Sequence, residues 1–112
     1  MKLMIEVNGV ALPTTESGFL VNVEDWSEAA AVVLAHSVGI GLSEAHWEIV
    51  RFIRDYYLQF AHLPNARMFV KAVQKRFGDE KGNTRYLMRL FPDSPVRQAC
   101  LIAGLPKPPG CL

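Results

Sequence analysis

Apolar positions along the chain change their spacing several times, and each change marks an element. Between Leu3 and Leu12 two short apolar stretches flank Asn8-Gly9, the dipeptide that supplies both positive-φ positions of a type I′ turn. A small N-terminal β-hairpin is predicted. A further extended piece is expected at Gly18-Phe19-Leu20-Val21, after which Asp25, with Glu28 three positions on, reads as the capping box of a helix running to about Ser37 and stopping near Gly39.

From Ser43 the spacing becomes helical. Trp47, Val50, Ile53, Tyr57 and Phe60 form one apolar stripe, while Glu48, Arg51, Asp55 and Gln59 occupy the opposite face. Pro64 prevents continuation, and a fresh helix carries Ala66, Phe69, Val70, Val73 and Phe77 on one side before Gly78. Asn83 or Thr84 begins a short helix with Tyr86, Leu87, Leu90 and Phe91 inward, and Ser94-Pro95 opens a last one that ends at Gly104. Beyond Gly104 helical spacing stops, because Leu105-Pro106-Lys107-Pro108-Pro109-Gly110-Cys111-Leu112 holds three prolines and a glycine and favours an extended chain. The expected protein is mainly α: a small N-terminal β-hairpin packed on an orthogonal helical bundle over residues 1–104, with a flexible C-terminal arm at 105–112.

Length and composition fit one domain, since 112 residues that are 50% apolar can bury a core without a metal or disulfide. No run approaches the roughly 18 apolar residues of a membrane span. Met1-Lys2-Leu3-Met4-Ile5-Glu6 is too short an apolar stretch for a secretory signal, so a cytoplasmic protein is expected. Charge is uneven: residues 1–50 hold one Lys and seven Asp/Glu (−6), and residues 51–112 eleven Lys/Arg and four Asp/Glu (+7). A surface for an acidic partner or nucleic acid is one reading of this split, and solvated helix faces are the other.

Two cysteines in a reducing compartment make a permanent bridge a poor expectation, so position decides their role. Cys111 is penultimate on a segment with no apolar periodicity to bury it, which leaves its thiol accessible. Seven residues from Leu105 to Cys111, at about 3.1 Å each, carry the sulfur roughly 20 Å from the last helix, and the prolines limit collapse of the tether. Cys100 falls about one turn before the end of that helix, beside Leu101 and Ile102, so partial burial is expected. The negative end of the helix dipole disfavours a thiolate there, partly offset by Arg97 three residues earlier. Cys111 is the expected nucleophile and Cys100 the possible resolving thiol. The short loop between them makes a reversible Cys100–Cys111 disulfide feasible.

Other chemistries have little support in the residues. His36, His46 and His62 are scattered and no zinc-type spacing exists, so no metal is expected. No nucleophilic triad can be assembled, and Gly39-Ile40-Gly41 lacks the pattern of a phosphate loop. Neither a metal nor an organic cofactor is expected. The Pro64 region, with Arg67, Lys71, Lys75 and Arg76 on its second helix, has the outline of a helix-turn-helix, which is retained as a DNA-binding alternative. The four-residue recurrence of its cations equally fits a solvated face.

Beside these readings stands a resemblance that covers nearly the whole chain. Gly18-Phe19-Leu20, Trp26, Glu44-Ala45-His46-Trp47-Glu48, Arg54-Asp55-Tyr56-Tyr57, the run Glu80 to Leu87, Leu90-Phe91-Pro92, and Ala103-Gly104-Leu105-Pro106-Lys107-Pro108 with Cys111 are similar to the DsrC/TusE family. These are the gamma-subunit-like proteins of dissimilatory sulfite reductase and their relatives in tRNA thiolation. The resemblance implies a helical body, and an arm whose penultimate cysteine, here Cys111, takes sulfur as a persulfide. It implies a sulfurtransferase acting as a carrier, without stand-alone turnover of a small molecule.

Two branches of the family imply different partners. TusE-type members receive sulfur from a TusBCD-like donor complex and pass it to the tRNA 2-thiouridylase, using only the penultimate cysteine. DsrC-type members carry a second cysteine where Cys100 stands and work with the sulfite reductase large subunits through the pair. Trp26-Ser27-Glu28, Val50 to Asp55 and Arg89 to Pro92 resemble the first branch; Cys100 and Gly110 resemble the second. Relay to tRNA thiolation is the leading expectation, with Arg97, Pro106, Lys107, Pro108 and Gly110 serving arm and partner contacts, and with no direct hold on nucleic acid or membrane.

Overall fold

Asn8 and Gly9 take positive φ values of 50° and 81°, so the chain reverses in two residues and β1 (Met4–Val7) pairs antiparallel with β2 (Val10–Pro13). The register joins Val7 to Val10 and Met4 to Pro13. The computed structural model describes residues 3–110. The third extended piece adds only a bridge, Thr14 to Leu20, with the Val21 N–H donating to the Pro13 carbonyl at 3.1 Å. Between them a turn closes on Thr15 and Gly18, and it sends Phe19 and Leu20 into the core, where they are 2% and 3% exposed.

Five helices follow: α1 (Glu28–Ser37), α2 (Glu44–Phe60), α3 (Ala66–Phe77), α4 (Thr84–Leu90) and α5 (Pro95–Ile102). With the hairpin they make the mainly α architecture expected. The first cap differs from the expectation. Asp25 belongs to a 3-10 turn, Val23–Asp25, and Trp26 is extended, so α1 is capped by Ser27, whose Oγ accepts from the Ala30 N–H at 3.0 Å. Asn65 and Asn83 cap α3 and α4 through Met68 and Tyr86 N–H groups, satisfying donors that a helix start leaves open.

The cap of α2 uses a histidine where a Glu or Gln is usual. Ser43 accepts from the His46 N–H, and His46 Nδ1 accepts from the Ser43 N–H at 3.1 Å. An accepting Nδ1 puts the ring proton on Nε2, which donates to the Leu90 carbonyl at 2.8 Å. His46 thereby ties the start of α2 to the end of α4, and its ring meets Phe91 edge-on at 5.4 Å.

The inward face of α2 is Ile49, Val50 and Ile53, all fully buried. Phe60, placed by spacing at the end of the core stripe, is 50% exposed. Its ring meets that of Tyr56 in a tilted pair, centroids 4.9 Å apart, and the helix ends at Ala61 in a left-handed conformation, φ 58°.

All of this converges on α5, which packs on α1, α2, α3 and α4. Six of its eight residues are buried: Val96, Gln98, Ala99, Cys100, Leu101 and Ile102. Full burial of Cys100 goes beyond the partial burial its spacing suggests, because neighbours cover α5 on several sides. Leu105, assigned by composition to the arm, is 0% exposed. The exposed chain starts at Pro106, and even there Pro108 is buried while Pro106, Lys107, Pro109 and Gly110 are exposed.

Candidate functional site: the root of the C-terminal segment

The end of α5 is built so that every carbonyl has a partner. Gly104 takes φ 70°, and in this turn the Leu105 N–H donates to the Cys100 carbonyl at 3.0 Å and the Gly104 N–H to the Leu101 carbonyl at 3.2 Å. These two bonds are those of a Schellman motif, in which the residue after the left-handed glycine commonly packs back on the helix. Leu105 does so, which explains its burial. The Ala103 N–H takes the Ala99 carbonyl. The two carbonyls that remain are met from other elements: Trp26 Nε1 donates to Ile102 at 2.9 Å, and Arg54 Nη1 to Ala103 at 2.9 Å.

Arg54 is the hinge pin of this arrangement. Its Nη2 reaches the Val23 carbonyl at 3.2 Å, and its guanidinium carbon stands 4.4 Å from the Trp26 ring centroid, within cation–π range. Burial lowers its pKa from the ordinary arginine range, with the Asp55 charge opposing, but a guanidinium stays protonated at any physiological pH. A fixed positive charge therefore faces the negative pole of α5, one turn from Cys100. This root gives the C-terminal segment a defined point of departure beside Cys100.

The other residues singled out by sequence are placed as follows. Cys100 contributes its carbonyl to the Schellman motif and its side chain to the core. Arg97 is half-buried, with its guanidinium carbon 5.6 Å from the Phe19 ring centroid. Pro106 and Lys107 are exposed, Pro108 is packed, and Gly110 has φ 78°. Cys111 lies outside the described residues. Sequence periodicity gave no indication that Trp26 and Arg54 hold the root: they are separated from α5 by 76 and 49 residues in the bonds they make.

Two open grooves lie elsewhere. One of about 830 Å³ follows the outer face of α2, with Trp47, Tyr56 and Phe77 among its walls; one of about 410 Å³ lies among α3, α4 and α5 and includes Arg67 and Lys71. Neither is lined by Cys100 or by residues 103–110. The cations of the suggested recognition helix are divided between them, since Arg76 lines the α2 groove. Among the described residues no group of three His, Cys, Asp or Glu side chains is placed to hold a metal, and no helix is long and apolar enough to cross a membrane.

The described residues thus form a hairpin and five helices, with the end of the last helix pinned by Trp26 and Arg54. The family model described as DsrC like protein matches residues 6–112, and the chain belongs to that family. It is 53% identical over 109 residues to the protein of Yersinia pestis named Sulfurtransferase TusE, covering 97% of this chain and all of that one. DsrC of Allochromatium vinosum has a similar structure, TM-score 0.90 at 46% identity with both chains fully covered. The oxidized gamma-subunit of dissimilatory sulfite reductase from Archaeoglobus fulgidus superposes with TM-score 0.84 at 41% identity, over 97% of this chain and 99% of that one.

Proposed function

We propose that this chain is a sulfurtransferase that works as a carrier in a sulfur relay, taking sulfur as a persulfide on Cys111 and passing it on toward 2-thiouridine at the wobble position of tRNA. The observation that carries the reading is the root of the arm: a fully satisfied helix end, held by Trp26 and Arg54, after which a short, proline-rich segment begins with exposed Pro106 and Lys107. A carrier needs a thiol that enters other proteins' sites.

The transfer balances without an oxidant. The Cys111 thiolate attacks the terminal sulfur of a donor persulfide, the donor's S–S bond breaks, and the donor leaves as a thiolate. The same exchange, with Cys111 as the leaving thiolate, delivers the sulfur. The donor in this reading is a TusBCD-like complex and the acceptor a tRNA 2-thiouridylase.

The position of Cys100 at the root, with its carbonyl bonded to the Leu105 N–H, supports a second reading, with the sulfite reductase large subunits as partners. There the Cys100 thiol attacks the Cys111 sulfur that bears the persulfide, forming the Cys100–Cys111 disulfide and releasing hydrosulfide. Thiolated tRNA measured in strains carrying each substitution separates the two. Loss in Cys111→Ser with near-normal thiolation in Cys100→Ser is expected; equal, complete loss in both transfers the case to the two-thiol mechanism, and unchanged thiolation in both removes the protein from tRNA thiolation.

A further inference from the structure

α3 (Ala66–Phe77) carries four cations, Arg67, Lys71, Lys75 and Arg76, and no acidic residue. None of the four is in a salt bridge among the described residues, where the two that occur join Arg51 to Glu28 and Lys81 to Glu48. Lys75 and Arg76 lie in the last turn, where the helix dipole favours a cation. Arg67 lies in the first turn, where the dipole opposes one, and Lys71 follows at the four-residue spacing that sets like charges side by side. The two cations that the helix itself favours least are the two that line the groove among α3, α4 and α5.

Most of the remaining lining is apolar. Val70, Pro95 and Val96 contribute to it, Thr84 is its one uncharged polar residue, and no carboxylate lines it. α3 and α5 meet the groove at their first turns, and neither turn holds an acidic residue, whereas α1 and α2 begin on Glu28 and Glu44. Asp93, two residues before Pro95, is engaged with the Gln98 amide. Positive charge at this groove is therefore uncompensated among the described residues. Met68 and Met88 are 48% and 39% exposed, one turn from Lys71 and Thr84 along α3 and α4. They add apolar surface of the adaptable kind that contacts with other proteins use.

We infer that this groove is the docking site for an acidic segment of a partner protein that also bears aliphatic side chains. Its carboxylates meet Arg67 and Lys71, and its aliphatic groups cover Val70, Pro95 and Val96. Arg67 can take a carboxylate through two parallel N–H bonds while Lys71 acts as a point charge, so the segment is oriented as well as held. A volume of about 410 Å³ is at the low end for ligand pockets and suits a few inserted side chains. A nucleic-acid backbone would use the cations and leave the apolar lining without a partner. It would also need the charge to continue along α3, yet Arg76 lines the α2 groove together with Glu44, Glu48 and Asp55. The inference does not depend on which residue carries sulfur.

The test titrates the full chain at low salt with a synthetic peptide of Leu-Glu-Glu repeats and follows the 15N–1H spectrum. The amides of Arg67, Val70, Lys71, Thr84 and Val96 should shift together, while those of Trp47 and Tyr56 at the α2 groove stay in place. The double substitution Arg67→Gln/Lys71→Gln should weaken binding about tenfold, the size expected of two exposed ion pairs, and added salt should weaken it in wild type. A Ser-Glu-Glu peptide of equal length should bind severalfold more weakly, because it leaves the apolar lining uncovered. Unmoved amides, equal binding by the two peptides, or undiminished binding by the double variant each overturns the inference. Stronger shifts of the same amides by duplex DNA would overturn it in favour of nucleic acid, and shifts that grow with protein concentration alone would do so in favour of a second copy of this chain. If the double variant fails to fold, the salt dependence and the comparison of peptides on wild type decide.

Discussion

Gly104 lies flat against the indole of Trp26, so that a Cβ placed on it would fall 2.5 Å from Cδ1 and 2.8 Å from the Trp26 Cβ. The same indole donates to the Ile102 carbonyl. One aromatic ring thus both fixes the last turn of α5 and forbids any side chain at the residue that turns the chain out of it.

Gly104→Ala should therefore destabilise the protein by about 2–4 kcal/mol, combining a positive φ that alanine resists with overpacking against a ring that cannot retreat. Urea unfolding followed by tryptophan fluorescence measures it. A cost below about 0.5 kcal/mol would mean that the root is loosely packed. Trp26→Phe, which keeps the ring and removes only the donor to Ile102, should cost about 1–2 kcal/mol by leaving a carbonyl unpaired.

Leu105 is the last residue of the packed root, and the next two, Pro106 and Lys107, are exposed. It is fully buried, so Leu105→Ala should cost about 2–4 kcal/mol, as for other core leucines. Lys107→Ala, two residues on and exposed, should fall within about 0.5 kcal/mol of wild type. Equal, small effects at both positions in thermal or urea unfolding would put the start of the unpacked chain back at Leu105.

Much of this was legible in the sequence, and the failures have physical causes. Asn8-Gly9, the Pro64 break, Asn83 and Ser94-Pro95 mark element ends through local chemistry, which needs no knowledge of the fold. Ser27 was missed as a cap because Asp25 offered a better capping box on paper; the chain instead uses an extended Trp26 to reach α5. Phe60 was misplaced because periodicity shows a helix face and not how far the packed body extends along it. Leu105 was assigned to the tail by the composition around it, although Gly104 followed by a leucine is the sequence form of a Schellman end. Arg54 and Trp26 carried the family resemblance, yet nothing short of the fold tells that both aim at the same helix terminus.

Ala61 ends α2 at φ 58°, a conformation that disfavours a side chain bearing a Cβ. Ala61→Gly removes that strain at the cost of some unfolded-state entropy, and a net gain of about 0.5–1 kcal/mol in unfolding free energy is expected. Unchanged or lower stability would show that the turn tolerates its alanine without strain.

Lys81 Nζ and Glu48 Oε1 are 2.6 Å apart, joining the loop before α4 to α2. The hydrogen bond to Glu48 raises the Lys81 pKa above the ordinary lysine range, ahead of a smaller opposing effect of desolvation. For a cation whose folded pKa is raised, the stabilisation is complete below the unfolded value, about 10.4, and is lost as pH rises through the folded one. The stability difference between wild type and Lys81→Met should be constant from pH 6 to about 9 and shrink only above about 10.4. Salt should reduce it throughout, since both side chains are partly exposed. A difference that persists undiminished well above about 10.4 would assign it instead to contacts of the lysine side chain that do not depend on the ion pair, such as that with the Phe77 ring, whose centroid is 5.6 Å from Nζ.

The two thiols should differ by orders of magnitude in reactivity, and the difference tests the carrier reading before any partner is known. Cys100 is 0% exposed in the most enclosed helix of the fold, and its modification requires local or global opening. Cys111 follows an exposed Pro109-Gly110. With the chain reduced, a disulfide reagent at neutral pH should titrate one thiol within seconds and the second only at the rate of opening. Urea below the unfolding midpoint should accelerate the slow phase and leave the fast one unchanged. Cys111→Ser should remove the fast phase, and Cys100→Ser the slow one. Two fast thiols in the native chain would mean that Cys100 is readily uncovered, as a resolving thiol must be, and would shift the balance toward the two-thiol mechanism. A single slow thiol and no fast one would mean that Cys111 is sheltered by the body, which a carrier that enters other proteins' sites could not be in its receiving state.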